Sequence, residues 1–157
     1  MTILLIHGPN LNLLGKRDTA QYGAGTLSDI ETLVGTEARK SGHDVKTFQS
    51  NHEGALIDFL QKESANAAGI IINPGALTHY SYALHDALVD TGLPAVEVHL
   101  SDISSREEWR RISVTAAACI GQVSGKKEAG YLEALHILMN AIEGVQRMSA
   151  NNSGSHS

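Results

Sequence analysis

Ile70-Ile71-Ile72 is apolar on three successive residues, with Gly69 before it and Asn73-Pro74-Gly75 after it. A strand with one wet face alternates apolar and polar residues, so an unbroken β-branched run requires cover on both faces of its sheet. Ala117-Ala118 reads the same way inside a run over Ala117–Val123, and further short apolar runs stand at Thr2–Ile6, Val45–Phe48 and Ala95–Val98. Helical periodicity follows most of them. Leu27, Ile30, Leu33, Val34 and Ala38 lie at helical spacing behind possible capping boxes at Thr26/Asp29 and Ser28/Glu31, and Gly42 sits where a terminating glycine belongs. Glu53–Ala65, Ser81–Thr91 and Tyr131–Met148 read as helices and Ser105–Arg111 as a short one. Repeated strand–helix units with both faces covered predict a three-layer, flavodoxin-like α/β fold. Its five-stranded parallel sheet has helices on both faces and, with right-handed crossovers, the strand order 2-1-3-4-5.

The 157 residues fit one domain, read as a single catalytic α/β domain over 1–148. Residues 149–157 have little apolar content to bury and are expected to be a disordered C-terminal tail. A net charge of -5 with scattered Lys and Arg argues against a nucleic-acid partner, and no apolar run reaches bilayer length, which argues against a membrane partner. The lone Cys119 excludes an intramolecular disulfide and a Cys-based zinc site, and it is expected to lie buried within a strand. Met1 runs into Ile3-Leu4-Leu5-Ile6 without a basic flank or cleavage site, so the cytoplasm is the expected location. Trp109 is expected to pack a helix onto its neighbours, and His136 lies in an apolar helical pattern.

Ligands of open parallel sheets bind beyond the carboxyl ends of the strands, and those ends are polar here. They read His7-Gly8-Pro9-Asn10-Leu11-Asn12, Gln49-Ser50-Asn51-His52-Glu53, Asn73-Pro74-Gly75-Ala76 and, after Glu97, His99-Leu100-Ser101. Turn formation explains any single segment, whereas four together point to one polar rim. Glu97 and His99, two apart on a strand, share a face, so the carboxylate can hold one ring nitrogen and orient an acid or base. A metal held by Glu97, His99, His79 and His85 is the rival reading, without any ligand spacing to support it. Leu11–Gly25 has no sustained apolar periodicity and reads as a lid, either with Arg17 and Tyr22 meeting over the strand ends or with both solvated. A guanidinium beside a phenol favours the tyrosinate, which is a usable base. The phosphate-loop, dinucleotide and serine-hydrolase motifs are absent.

In order and spacing, these segments resemble type II 3-dehydroquinate dehydratase (type II dehydroquinase) over about residues 2–146. The matching pieces are Gly8-Pro9-Asn10-Leu11-Asn12-Leu13-Leu14-Gly15, Lys16-Arg17 with Tyr22-Gly23, and Gln49-Ser50-Asn51-His52-Glu53-Gly54. Two more are Ile72-Asn73-Pro74-Gly75-Ala76-Leu77-Thr78-His79 and Glu97-Val98-His99-Leu100-Ser101, the latter followed by Arg106-Glu107 and Arg110. The resemblance implies the third step of the shikimate pathway, dehydration of 3-dehydroquinate to 3-dehydroshikimate by anti elimination through an enolate, with no cofactor and no metal. It implies Tyr22 as base, Arg17 holding it as tyrosinate, His99 as general acid oriented by Glu97, and Asn10 stabilising the enolate through a water. Asn73 and the amides of Leu100 and Ser101 would hold the substrate carboxylate, and His79 and Arg110 the ring hydroxyls. Asp86 would reach the site of a neighbouring subunit in a homododecamer, a tetramer of trimers. Two stretches depart from the family pattern: Lys16-Arg17-Asp18-Thr19 stands where Arg-Glu-Pro is common, and Gly125-Lys126-Lys127-Glu128-Ala129-Gly130 replaces a Gly-Phe-Gly stretch. A signalling receiver would need acidic residues after strand one, where His7-Gly8-Pro9-Asn10 stands, and a metal-dependent hydrolase would need a ligand cluster.

Overall fold

The computed structural model describes residues 1–154. Strands β1 (Thr2–His7), β2 (Asp44–Gln49), β3 (Gly69–Asn73), β4 (Ala95–His99) and β5 (Gly121–Ser124) form one parallel sheet in the order β2-β1-β3-β4-β5. Helices α1 (Thr19–Tyr22), α2 (Leu27–Lys40), α3 (Glu53–Glu63), α4 (Tyr82–Thr91) and α5 (Ala129–Ser153) complete the chain. The expected architecture and strand order are both present.

The unbroken apolar runs have the predicted cause. Ile3, Leu5, Ile71, Val96 and Val98 pack on one face against Ile30 and Val34 of α2 and Leu135 and Leu138 of α5. Leu4, Ile6, Ile70, Ile72 and Ala95 pack on the other against Leu56 and Leu60 of α3 and Leu84 and Leu88 of α4. Each large aliphatic side chain so buried contributes ~1.5–3 kcal/mol, and the odd–even division along each strand fixes the register. Helix α2 starts in a capping box in which Thr26 Oγ1 accepts from the Asp29 amide at 3.2 Å and Asp29 returns the bond at 2.9 Å. It stops at Gly42 (φ 77°), where the His43 amide donates back to the Ala38 carbonyl at 3.1 Å.

Several local expectations are corrected. Ala116–Ala118 form a 3-10 turn rather than the start of β5, because pairing with β4 begins only at Ile120, whose amide donates to the Ala95 carbonyl at 2.8 Å, and Ala116–Ala118 have no partner there. Cys119 therefore lies between turn and strand, half-buried, with burial and the Glu97 charge pushing its thiol up to about 12. The short helix expected over Ser105–Arg111 is two 3-10 turns, Ile103–Ser105 and Glu108–Arg110, separated by extended backbone at Arg106 and Glu107. Trp109 stays 54% exposed and packs no helix, while His136 is on the surface 3.6 Å from Glu37. Residues 149–153 of the expected tail are helical, since adding turns to α5 costs little once Tyr131, Leu135, Leu138 and Ile142 anchor it. Ser153 Oγ also donates to the Ala150 carbonyl at 2.9 Å, with the Ser149 carbonyl 3.2 Å away. The end of that tail, 155–157, lies outside the described residues.

At the strand ends the backbone is crowded. A Cβ on Gly8 would stand 2.1 Å from the Pro74 carbonyl oxygen, and the Gly8 amide donates to the Asn73 carbonyl at 2.7 Å. This approach joins the loops that follow β1 and β3. Lys127, in the loop before α5, is left-handed (φ 50°) within one of the stretches that depart from the family pattern. Such a conformation costs a non-glycine residue about 1–2 kcal/mol, partly offset by the greater entropy glycine loses on folding. Lys127→Gly should raise stability by up to about 1 kcal/mol in urea unfolding, and Lys127→Ala should give no such gain.

Candidate active site

A pocket opens where β1, β3 and β4 end, lined by Asn10, Asn73, His99, Leu100 and Ser101 from the strand ends and by Arg17 and Tyr22 from the lid. His79, Arg106 and Arg110 complete its polar wall. Asn10 is held left-handed (φ 69°), and its amide donates to Asn51 Oδ1 at 2.9 Å. Gln49 Nε2 donates to the Gly8 carbonyl at 3.2 Å. The polar segment after β2 thus braces the loop after β1 and does not itself line the pocket. Asn73 accepts from the Gly75 amide at 3.1 Å and donates to the buried Tyr131 hydroxyl at 3.2 Å, which leaves one amide proton for a ligand.

Glu97 and His99 meet as their spacing predicted, with His99 Nε2 3.0 Å from Glu97 Oε2. The Glu97 side chain has no solvent exposure. Burial alone would raise its carboxyl, but the hydrogen bond and charge of His99 and the hydroxyls of Thr115 and Thr78 outweigh it and hold Glu97 down at about 2. An ionised Glu97 requires a proton on Nε2, so Nδ1 is the ring nitrogen left for a ligand.

Arg17 and Tyr22 also meet. Arg17 Nη2 donates to the Tyr22 hydroxyl at 3.3 Å, and its guanidinium carbon lies 4.1 Å from the ring centroid. Arg106 Nη1 donates to the same hydroxyl at 3.3 Å and to Ser101 Oγ at 3.1 Å. Two guanidinium groups therefore converge on one phenol oxygen. Arg106 stood in a recognised segment of the sequence, but nothing in its spacing to Tyr22, 84 positions away, indicated the contact.

His79 Nδ1 donates to the Ile112 carbonyl at 2.7 Å, and burial pushes its pKa below the ordinary histidine value. Its other nitrogen is thus an acceptor for a hydroxyl. Trp109 sits edge-on to His79 at 5.4 Å, with the Arg110 guanidinium 4.0 Å above the indole. Arg110 is 2.5 Å from Glu107. Asp86, on α4, does not line this pocket. His85 Nδ1 donates to the Val114 carbonyl at 2.8 Å rather than joining His79. Among the described residues no three His, Cys, Asp or Glu side chains converge as metal ligands, and no helix is long and apolar enough to cross a membrane.

The class II dehydroquinase family model matches residues 1–139. The chain belongs to that family. A 3-dehydroquinate dehydratase of Clostridium beijerinckii is 52% identical over 139 residues, covering 88% of this chain and 95% of the relative. One from Thermotoga maritima is 49% identical over 143 residues, covering 91% and 98%. The crystal structure of a type II dehydroquinase from Butyrivibrio crossotus superposes with a TM-score of 0.85 at 44% identity, covering 88% of this chain and 97% of that one. As a member of the dehydroquinase family the chain is a hydro-lyase.

In this dehydroquinase-family chain the Glu97 carboxyl is depressed from 4.5 to about 2, so its contribution to stability is complete above pH 4.5 and disappears as pH falls through 2. The contribution is roughly 3 kcal/mol. Glu97→Gln should therefore be less stable than wild type at neutral pH, with the gap narrowing as both are denatured at successively lower pH through that window.

Proposed function

We propose that the chain dehydrates 3-dehydroquinate to 3-dehydroshikimate by anti elimination through an enolate, with no metal or organic cofactor. The observation that carries this reading is that an oriented histidine and a phenol under two guanidinium groups open onto one pocket. Removing a proton α to a ketone needs a base, a stabilised enolate and an acid for the departing hydroxyl.

Tyr22 is the base. Held as tyrosinate by Arg17, with Arg106 donating to the same oxygen, it takes the C2 proton. His99 is the general acid: Nδ1 gives its proton to the C1 hydroxyl, which leaves as water, while Glu97 holds Nε2. Asn10 stabilises the enolate oxygen through a water. The substrate carboxylate is bound by Asn73 and the amides of Leu100 and Ser101. His79 and Arg110 take the ring hydroxyls, with neutral His79 accepting through Nε2. Asp86 serves the site of a neighbouring subunit in a homododecamer, and sedimentation mass with and without Asp86→Ala tests whether assembly and activity separate.

The direct test is the rise in absorbance of the conjugated enone when the purified protein meets 3-dehydroquinate without added metal. Dialysis against chelator should leave the rate unchanged. Tyr22→Phe should lower kcat by at least ~10³-fold with little change in KM, and His99→Ala by about 10²–10⁴-fold, because both groups act mainly in the transition state. Arg17→Lys keeps a charge without the planar fork, so its residual kcat should climb with pH more steeply than that of wild type. Substantial turnover by Tyr22→Phe would remove Tyr22 from the role of base.

A further inference from the structure

Glu97 is enclosed by donors that the elimination itself does not require. Thr78 Oγ1 donates to Oε1 at 2.7 Å, and Thr115 Oγ1 makes a short contact with the same oxygen. Ser113 Oγ stands 3.0 Å from Oε1 and 2.8 Å from Oε2, and Gln122 Nε2 donates to Oε2 at 2.7 Å. They come from three places: the 3-10 turn after β3, the segment before β5, and β5 itself, where Gln122 is the register partner of Glu97. Thr78 and Thr115 are fully buried, and Ser113 is itself fixed by the Ala116 amide at 2.9 Å.

The proton count makes this arrangement specific. Each hydroxyl has one proton, and Thr78 Oγ1 lies within hydrogen-bond distance of Ser113 Oγ (3.0 Å) and Thr115 Oγ1 (2.8 Å) as well as of the carboxylate. An anion is the strongest acceptor among them, so all three hydroxyls satisfy themselves by turning to Glu97 only while it is ionised. With Gln122 and His99 added, five donors meet the ~4 lone-pair positions of a carboxylate and leave no room for a proton on it. We propose that Thr78, Ser113, Thr115 and Gln122 are positioning residues that lock Glu97 as an anion and thereby fix the proton of His99 on Nε2, reserving Nδ1 for the leaving group. This rests on the reading of His99 as the general acid.

The titratable groups that face Glu97 are His99 on its own strand, His79 on the turn after β3 and Cys119 before β5. Burial keeps Cys119 a neutral thiol, and burial pushes His79 towards its neutral form, so His99 is the partner whose proton Glu97 controls. The segment carrying two of the donors also alternates its functions. Ser113 and Thr115 address Glu97, while the Ile112 and Val114 carbonyls, one residue before each, hold His79 and His85.

The test compares kcat and KM against pH for wild type, Thr78→Val, Thr78→Ser and Gln122→Met, with His99→Ala alongside. Val matches Thr in shape without a hydroxyl, and Met approximates Gln without a donor. In Thr78→Val and Gln122→Met kcat should be at least about tenfold lower with KM within about twofold of wild type, and the gap to wild type should widen as pH falls. Thr78→Ser restores the hydroxyl and should restore the profile. Wild-type profiles in both donor-less variants would overturn the proposal, as would kcat and KM worsening together in a folded Thr78→Val that Thr78→Ser does not rescue. If Thr78→Val fails to fold, Gln122→Met, a solvent-exposed position on the edge strand, decides alone. Should His99→Ala keep its kcat, the general-acid reading fails and the proposal with it. Loss in His99→Ala with unchanged cage variants sinks the cage only.

Discussion

An ionised carboxylate without solvent contact sits on β4, in a sheet whose two faces are covered mainly by aliphatic side chains. Burying such a group without partners costs far more than a domain of this size can spare. The local chain route answers to that constraint. The turn after β3 carries Thr78 inwards, the segment before β5 carries Ser113 and Thr115, and the β4–β5 register sets Gln122 directly opposite. The same movements close the wall of the pocket, since the turn that delivers Thr78 delivers His79 and the segment that delivers Ser113 delivers the carbonyl that orients His79. Satisfying one buried charge and shaping the site are therefore a single structural event.

The fold was legible because its signals are local and redundant. Three consecutive isoleucines can be covered only in a layered sheet, and the Thr26/Asp29 box and Gly42 bound a helix by chemistry that acts within a few residues. The readings that failed were those in which pairing or a distant surface decides. Ala117-Ala118 looks like strand, yet β4 offers no partner there. Trp109 looks like a core residue, yet it finds an imidazole edge and a guanidinium at the pocket mouth. The helical residues beyond Met148 bury nothing, so apolar pattern has no bearing on them.

The candidate site divides along the same line. Glu97 and His99 lie on one strand, and Arg17 and Tyr22 in one short segment, so spacing alone could suggest that each pair meets. Arg106, in the chain after β4, reaches Tyr22 in the lid after β1, and the donors to Glu97 are ordinary serine, threonine and glutamine residues from a turn after β3, the segment before β5 and β5 itself. Nothing in residue type or interval marks such convergence. It exists only once the crossovers have brought the strand ends side by side.

The sharing of Arg106 between Tyr22 and Ser101 bears on which molecules the pocket suits. Arg110 faces a carboxylate of its own in Glu107, and His79 is biased towards neutrality, so Arg17 and Arg106 are the positive charges left for the reacting centre. In the proposed reaction a Tyr22 phenolate balances one of them. A ligand bearing a single negative charge near Ser101 then balances the other. An uncharged polyol would leave a cation without a counterion, and a dianion would add an unmatched negative charge. On that reading valence, as well as shape, selects what this pocket holds.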